Sequence, residues 1–179
     1  MNYRRLFIPN SFIFLTIVTS KRRPILINNI KLLRRALRKA VENYNCKIIA
    51  ICVLPEHIHM IIKPYQINDY PYFVKQFKTY FSTNIDILTL ENYELTNSNI
   101  NKKERDVWQR RYFEHTIVSE DDLCRHFDYI HFNPVKHNLV TSVKNWEYSS
   151  FKNFVKNNYY DIDWCNFGDK NKIQELDYE

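Results

Sequence analysis

Cys46-Lys47-Ile48-Ile49-Ala50-Ile51-Cys52-Val53-Leu54-Pro55-Glu56-His57-Ile58-His59-Met60-Ile61-Ile62-Lys63 is the stretch on which the fold turns. Residues 46–54 are near-continuously apolar and rich in β-branched side chains, which predicts a central strand. Pro55 and Glu56 are a turn signal, and a second strand follows directly from His57 to Lys63. The two read as an antiparallel hairpin. Side chains alternate across a strand, so His57 and His59 share one face while Ile58 and Met60 enter the other.

Upstream, the run from Phe12 to Thr19 predicts a buried strand, ended by the basic Lys21-Arg22-Arg23 and Pro24. Ile30, Leu33, Leu37 and Val41 then recur at helical spacing over 28–44, with Lys31, Arg34, Arg35, Arg38 and Lys39 on the other face. Downstream, the spacing predicts a helix over 70–84, with Phe73, Phe77, Tyr80 and Phe81 inward and Lys75 and Lys78 outward. Residues 85–105 are polar and Asn-rich and read mostly as a loop. A fourth strand is expected at Tyr112–Val118. A third helix begins at Ser119, with Asp122 completing a short variant of the capping box. Asn133-Pro134 is expected to end or kink it. Irregular wrapping and a short helix near Ser149–Val155 complete the chain. The order strand, helix, strand, strand, helix, strand, helix predicts an α+β fold of the ferredoxin-like or RRM-like split β-α-β plan, an antiparallel sheet with helices on one face.

At 179 residues the chain fits one domain, residues 1–165, followed by an acidic tail at 166–179. Its single glycine, Gly168, excludes the multi-glycine phosphate cradles and nucleophile elbows of the common ATP, NAD and serine-hydrolase sites. A nucleotide cofactor is therefore not expected. A net charge of +6 points toward polyanions, and 16% aromatic residues interleaved with Lys and Arg suit stacking on unpaired bases. Cysteines 46, 52, 124 and 165 form no C-x-x-C pair and read as reduced thiols. No apolar run is long enough to span a membrane, so a cytoplasmic location is expected.

Two constellations carry chemistry. Converging imidazoles such as His57 and His59 suit a divalent metal with room for water or substrate, although a solvated sheet face also carries such pairs. On the third helix, Leu123, Phe127 and Ile130 make a core stripe, while Asp122, Arg125, Tyr129 and Asn133 share a polar one. Spacing alone does not distinguish Tyr129 from a half-buried tyrosine with a bonded hydroxyl.

Pro55-Glu56-His57-Ile58-His59 resembles the His-hydrophobic-His motif of single-tyrosine HUH transposases. Trp108-Gln109-Arg110-Arg111-Tyr112-Phe113-Glu114-His115 and Tyr129-Ile130-His131-Phe132-Asn133-Pro134-Val135-Lys136 are similar to two segments of the REP-associated tyrosine transposases. The resemblance spans roughly Tyr3 to Trp164. It implies that Tyr129 is the nucleophile, that His57, His59 and Asn133 hold Mg²⁺ or Mn²⁺, and that residues 1–165 form the catalytic domain. The implied partner is single-stranded DNA bearing a REP hairpin, nicked and rejoined by a monomer through a 5′-phosphotyrosine, in the cytoplasm at the nucleoid.

A tyrosine with its ordinary pKa of about 10 needs help to lose its proton, and Arg125 and His126 are the nearest groups in sequence. Arg4, Arg5, Lys21, Arg22, Arg23, Arg110, Arg111 and Lys136 form the expected DNA-binding set. Trp108 and Tyr112 are candidates for base stacking, with core packing the alternative for Trp108. Two other readings stay open: an RRM-like module that binds hairpin DNA or RNA with a degenerate site, and a metal-dependent hydrolase that uses no covalent intermediate.

Overall fold

A computed structural model describes residues 7–86 and 105–165. Arg4, Arg5, most of the 85–105 stretch and the 166–179 tail lie outside the described residues. Strands β1 (Ile13–Val18), β2 (Cys46–Val53), β3 (His57–Pro64) and β4 (Phe113–Thr116) form one sheet in the order β2-β3-β1-β4. Every pairing is antiparallel. This is the strand order of the split β-α-β plan, and the hairpin read from residues 46–63 lies at its centre and one edge. A register shift between Ile48 and Ala50 keeps both ends of β2 apolar toward the same cover.

Helices α1 (Ile30–Tyr44) and α2 (Tyr70–Asn84) cover one face. There Ile13, Leu15 and Ile17 of β1 and Ile58, Met60 and Ile62 of β3 pack with Leu33, Leu37, Phe73, Phe77 and Phe81. Each fully buried Phe here contributes roughly 1.5–3 kcal/mol relative to exposure.

The opposite face is covered too, which corrects the expectation that helices lie on one face only. Helix α3 (Glu120–Lys136) and the short α4 (Phe151–Lys156) place Phe127, Tyr129, Ile130 and Phe154 against Phe14, Ala50, Cys52 and Ile61. The reason lies in the strands. β1, β2 and β3 carry apolar side chains on both faces, so both need a cover.

Helix α3 begins as expected: the Asp122 N–H donates to Ser119 Oγ at 3.1 Å. The reciprocal bond goes one residue further back, from the Val118 N–H to Asp122 Oδ2 at 3.1 Å. Its end differs from expectation. Pro134 has no N–H, yet the helix runs on to Lys136, because Asn133, Pro134 and Val135 are all buried there. A Schellman-type stop follows, with Asn138 at φ 58° and bonds from Asn138 N–H to Val135 O and from Leu139 N–H to Pro134 O. Among the described residues no helix is long and apolar enough to cross a membrane. The cysteines are free thiols, with Cys46, Cys52 and Cys165 buried and Cys124 exposed.

Candidate active site

The face of the sheet beneath α3 carries His57 and His59 at its centre and His115 at the β4 edge. His57 and His59 open β3, their ring centroids 4.7 Å apart and their planes at 82°. Helix α3 crosses above them and sets the Tyr129 ring 5.0 Å from that of His59 and 5.9 Å from that of Phe14. His57, His59 and Asn133 are fully buried and Tyr129 is 1% exposed. Asn133 follows Tyr129 by four residues and so shares its face of the helix. Of that polar stripe Tyr129 and Asn133 turn inward and Asp122 is half-buried, while Arg125 is exposed.

Each histidine is held from behind. Thr16, the cross-strand partner of His59, puts Oγ1 2.9 Å from His59 Nδ1. Glu56 Oε1 lies 3.0 Å from His57 Nδ1. That hydrogen bond, against the opposing effect of partial burial, holds the Glu56 carboxyl below the usual carboxylate range. With Nδ1 so engaged, Nε2 is the nitrogen each ring has to offer a metal, the arrangement by which outer partners fix a ligating imidazole. His137, the residue after α3, adds a third ring 5.1 Å from His57.

The donor set fits a divalent ion. Asn133 Oδ1 and Nδ2 are both buried without a hydrogen-bond partner. A buried polar group left so costs about 1–3 kcal/mol, which a cation accepting the amide oxygen would remove. Two imidazoles and an amide carbonyl form a mixed set that takes Mn²⁺ and also zinc or nickel.

Lys136, two turns after Tyr129, holds its Nζ 5.0 Å from the centre of the Tyr129 ring. It is thus the cation at the tyrosine, whereas Arg125 is exposed. His126 is buried and its Nδ1 lies 3.1 Å from Asp122 Oδ1. Burial, only partly opposed by Asp122, lowers the His126 pKa. On the other side of Asp122, His115 Nε2 lies 2.8 Å from Oδ2. Burial raises the Asp122 pKa, but the bonds from His115 and the Val118 N–H outweigh it and the net shift is downward. Phe14 separates this second cluster from the first, 4.6 Å from the His126 ring and 5.8 Å from that of His59.

Of the expected DNA-binding residues, Lys21, Arg22, Arg110 and Arg111 are exposed and Lys136 is half-buried. Arg23 is not available to DNA as expected. Its side chain is buried and its Nη2 pairs with Asp106 Oδ2 at 2.6 Å, with further bonds to the Ser20 and Asp106 carbonyls. This fork anchors a turn in which Lys21 and Arg22 take left-handed φ values of 54° and 50°, a conformation non-glycine residues adopt only at a cost. The turn leaves Arg22 Nη1 3.7 Å from Glu56 Oε1, next to His57.

Arg110 also lines an open groove of about 520 Å³ with Lys75, Lys78, Tyr72 and Tyr112. Trp108 is core, 5.2 Å from Phe81 and 5.9 Å from Phe77. Sequence reading assigned no site role to Thr16, Glu56 or His137. Glu56 and His137 adjoin recognisable motifs, whereas nothing local marks Thr16.

The family model for IS200-like transposases matches residues 10–133. A Haemophilus influenzae protein named for the REP-associated tyrosine transposases is 38% identical over 165 residues, covering 91% of this chain and 92% of its own. The Escherichia coli K12 REP-associated tyrosine transposase is 31% identical, covering 91% and 90%. A solved REP-associated tyrosine transposase bound to a REP hairpin superposes with a TM-score of 0.76 at 30% identity, over 93% of this chain and 92% of that one. With the sheet order, the buried His57–His59 pair and the tyrosine helix in place, the chain belongs to the IS200-like transposases, within the group of REP-associated tyrosine transposases.

Proposed function

We propose that this chain cleaves and rejoins single-stranded DNA beside REP-type hairpins, using Tyr129 as the nucleophile and Mg²⁺ or Mn²⁺ held by His57, His59 and Asn133. The observation that carries the reading is the packing of the Tyr129 ring 5.0 Å from His59, itself 4.7 Å from His57, with all three side chains buried. The hairpin as substrate is supported by the relative of similar fold that is bound to one.

Tyr129 Oη attacks phosphorus, the bond from phosphorus to the 3′ oxygen breaks, and the 3′ oxygen takes up a proton. The products are a 5′-phosphotyrosine and a free 3′-OH, so the phosphodiester energy is kept and no nucleotide cofactor is needed. Lys136, over the ring, complements the negative charge that develops on Oη as its proton leaves. Thr16 and Glu56 hold the two imidazoles in place. A bound divalent ion supplies Lewis-acid stabilisation of charge on the phosphate oxygens. Lys21 and Arg22, and the groove of Lys75, Lys78 and Arg110 with Tyr72 and Tyr112, offer phosphate contacts and stacking faces. In this reading His57, His59, Tyr129 and Asn133 act within one chain, as a monomer.

The test incubates the protein with end-labelled hairpin oligonucleotides and Mn²⁺ or Mg²⁺, then separates a denaturant-resistant adduct. Tyr129→Phe should abolish the adduct and leave binding within a few fold, and chelator should abolish cleavage. An adduct that survives Tyr129→Phe overturns the nucleophile. Binding without cleavage under either metal favours a DNA-binding module instead.

A further inference from the structure

His115, Asp122 and His126 form a cluster that the proposed reaction leaves unused. Among the described residues it is the group of three His, Cys, Asp or Glu side chains whose ligand atoms come close enough to share a metal ion, all within 4.8 Å of one another. One carboxylate stands between two imidazoles: His115 Nε2 is 2.8 Å from Oδ2, and His126 Nδ1 is 3.1 Å from Oδ1 and 2.7 Å from the Asp122 carbonyl oxygen, a bond that ligation through Nδ1 would replace. The two rings stack with centroids 4.9 Å apart and planes at 10°.

The backbone presents this set for a reason. Asp122 and His126 are four residues apart on α3, which puts them on one face of its first turns. His115 comes from β4, the edge strand beside β1. Two ligands at helical i,i+4 spacing and a third from an adjacent strand is a common way to assemble a three-ligand site. Zinc bonds of about 2.0–2.1 Å in tetrahedral geometry set donor atoms roughly 3.3 Å apart, near the separations already present around Asp122. His115 is 36% exposed, so its ring has room to complete the approach.

We propose that His115, Asp122 and His126 bind a second divalent transition metal, zinc-like in preference, separate from the ion between His57 and His59. Two imidazoles with one carboxylate favour zinc, nickel or cobalt over magnesium or calcium. The ion would clamp β4 to the start of α3, the helix that carries Tyr129, with the Phe14 ring between the two sites. The proposal concerns binding and holds whether or not Tyr129 is the nucleophile.

The test strips the full-length protein with chelator and titrates Zn²⁺ against a chromophoric competitor. Wild type should bind two ions per chain, and the exposed-ring variant His115→Asn one. His57→Ala/His59→Ala should retain one ion, and adding His115→Asn should weaken it at least tenfold. In that double variant Zn²⁺ should also raise Tm, a rise that His115→Asn removes. Should His57→Ala/His59→Ala fail to fold, the wild-type comparison with His115→Asn decides. Stoichiometry unchanged by His115→Asn, or no zinc held outside the His57–His59 pair, overturns the site and leaves a hydrogen-bonded clamp only.

Discussion

Thr16 and His59 face each other across β1 and β3, and the threonine hydroxyl lies 2.9 Å from Nδ1 of the histidine. Both side chains are almost fully buried, so the bond sets the orientation of the ring. Thr16→Val should weaken Mn²⁺ binding about 10–100-fold, as loss of an outer partner typically does. Thr16→Ser, which keeps the hydroxyl, should restore it. Isothermal titration of the three proteins checks this. Equal affinity for the valine variant would sink the orienting role.

Asn133 separates a ligand role from a packing role. Its amide is buried with neither polar atom hydrogen-bonded, a state costing about 1–3 kcal/mol. In chelator, Asn133→Leu should leave Tm unchanged or raise it. With Mn²⁺, the variant should show a smaller metal-induced rise than wild type. A lower Tm in chelator with an intact Mn²⁺ response would mean that the amide serves the fold alone.

Arg23 and its neighbours should part company on substitution. Breaking a buried ion pair leaves a charge uncompensated, so Arg23→Ala should cost about 3–5 kcal/mol in urea unfolding. Arg23→Lys should recover little, because a lysine cannot reproduce the fork to Asp106 and the Ser20 carbonyl. Lys21→Ala and Arg22→Ala should shift stability by no more than about 0.5 kcal/mol. Each should instead weaken oligonucleotide binding and make the salt dependence shallower, by about 0.7 for every phosphate the side chain neutralises.

Lys78 gives the basic groove a pH dependence. Burial brings its pKa down from the usual lysine value to about 8. The folded chain thus releases this proton before the unfolded chain does, and between about pH 8 and 10.5 the unfolded state holds more protons. Stability contributed at this site should therefore rise with pH across that window. DNA binding should move the opposite way, since the groove loses a positive charge as pH passes 8. Lys78→Arg should flatten the fall in hairpin affinity between about pH 7 and 9, measured by fluorescence anisotropy.

Much of this architecture was readable from local pattern. Continuous apolar runs marked β1, β2 and β3, the Pro55-Glu56 turn paired two of them, and alternation put both histidines on one face. Helical spacing predicted 70–84, the observed span of α2, and Ser119 caps α3 as read. The Tyr129–Asn133 spacing placed both residues on one helix face.

What local pattern cannot carry is which face meets which. A strand signals that it is buried on both sides, yet only packing assigned α1 and α2 to one face and α3 to the other. Thr16 reaches His59 across 43 residues and Arg23 reaches Asp106 across 83, so neither partnership has a sequence signal. Burial of Arg23 made an anchor of a residue whose composition alone reads as a DNA contact. The sequence by itself determined the elements, the parity of His57 and His59 and the shared helix face of Tyr129 and Asn133, because these depend on backbone periods of two and 3.6 residues. Tertiary structure alone decided that Thr16 stands behind His59, that Asp106 holds Arg23 and that His115 of β4 meets Asp122 and His126 beside Phe14, because those contacts form only when separate elements pack.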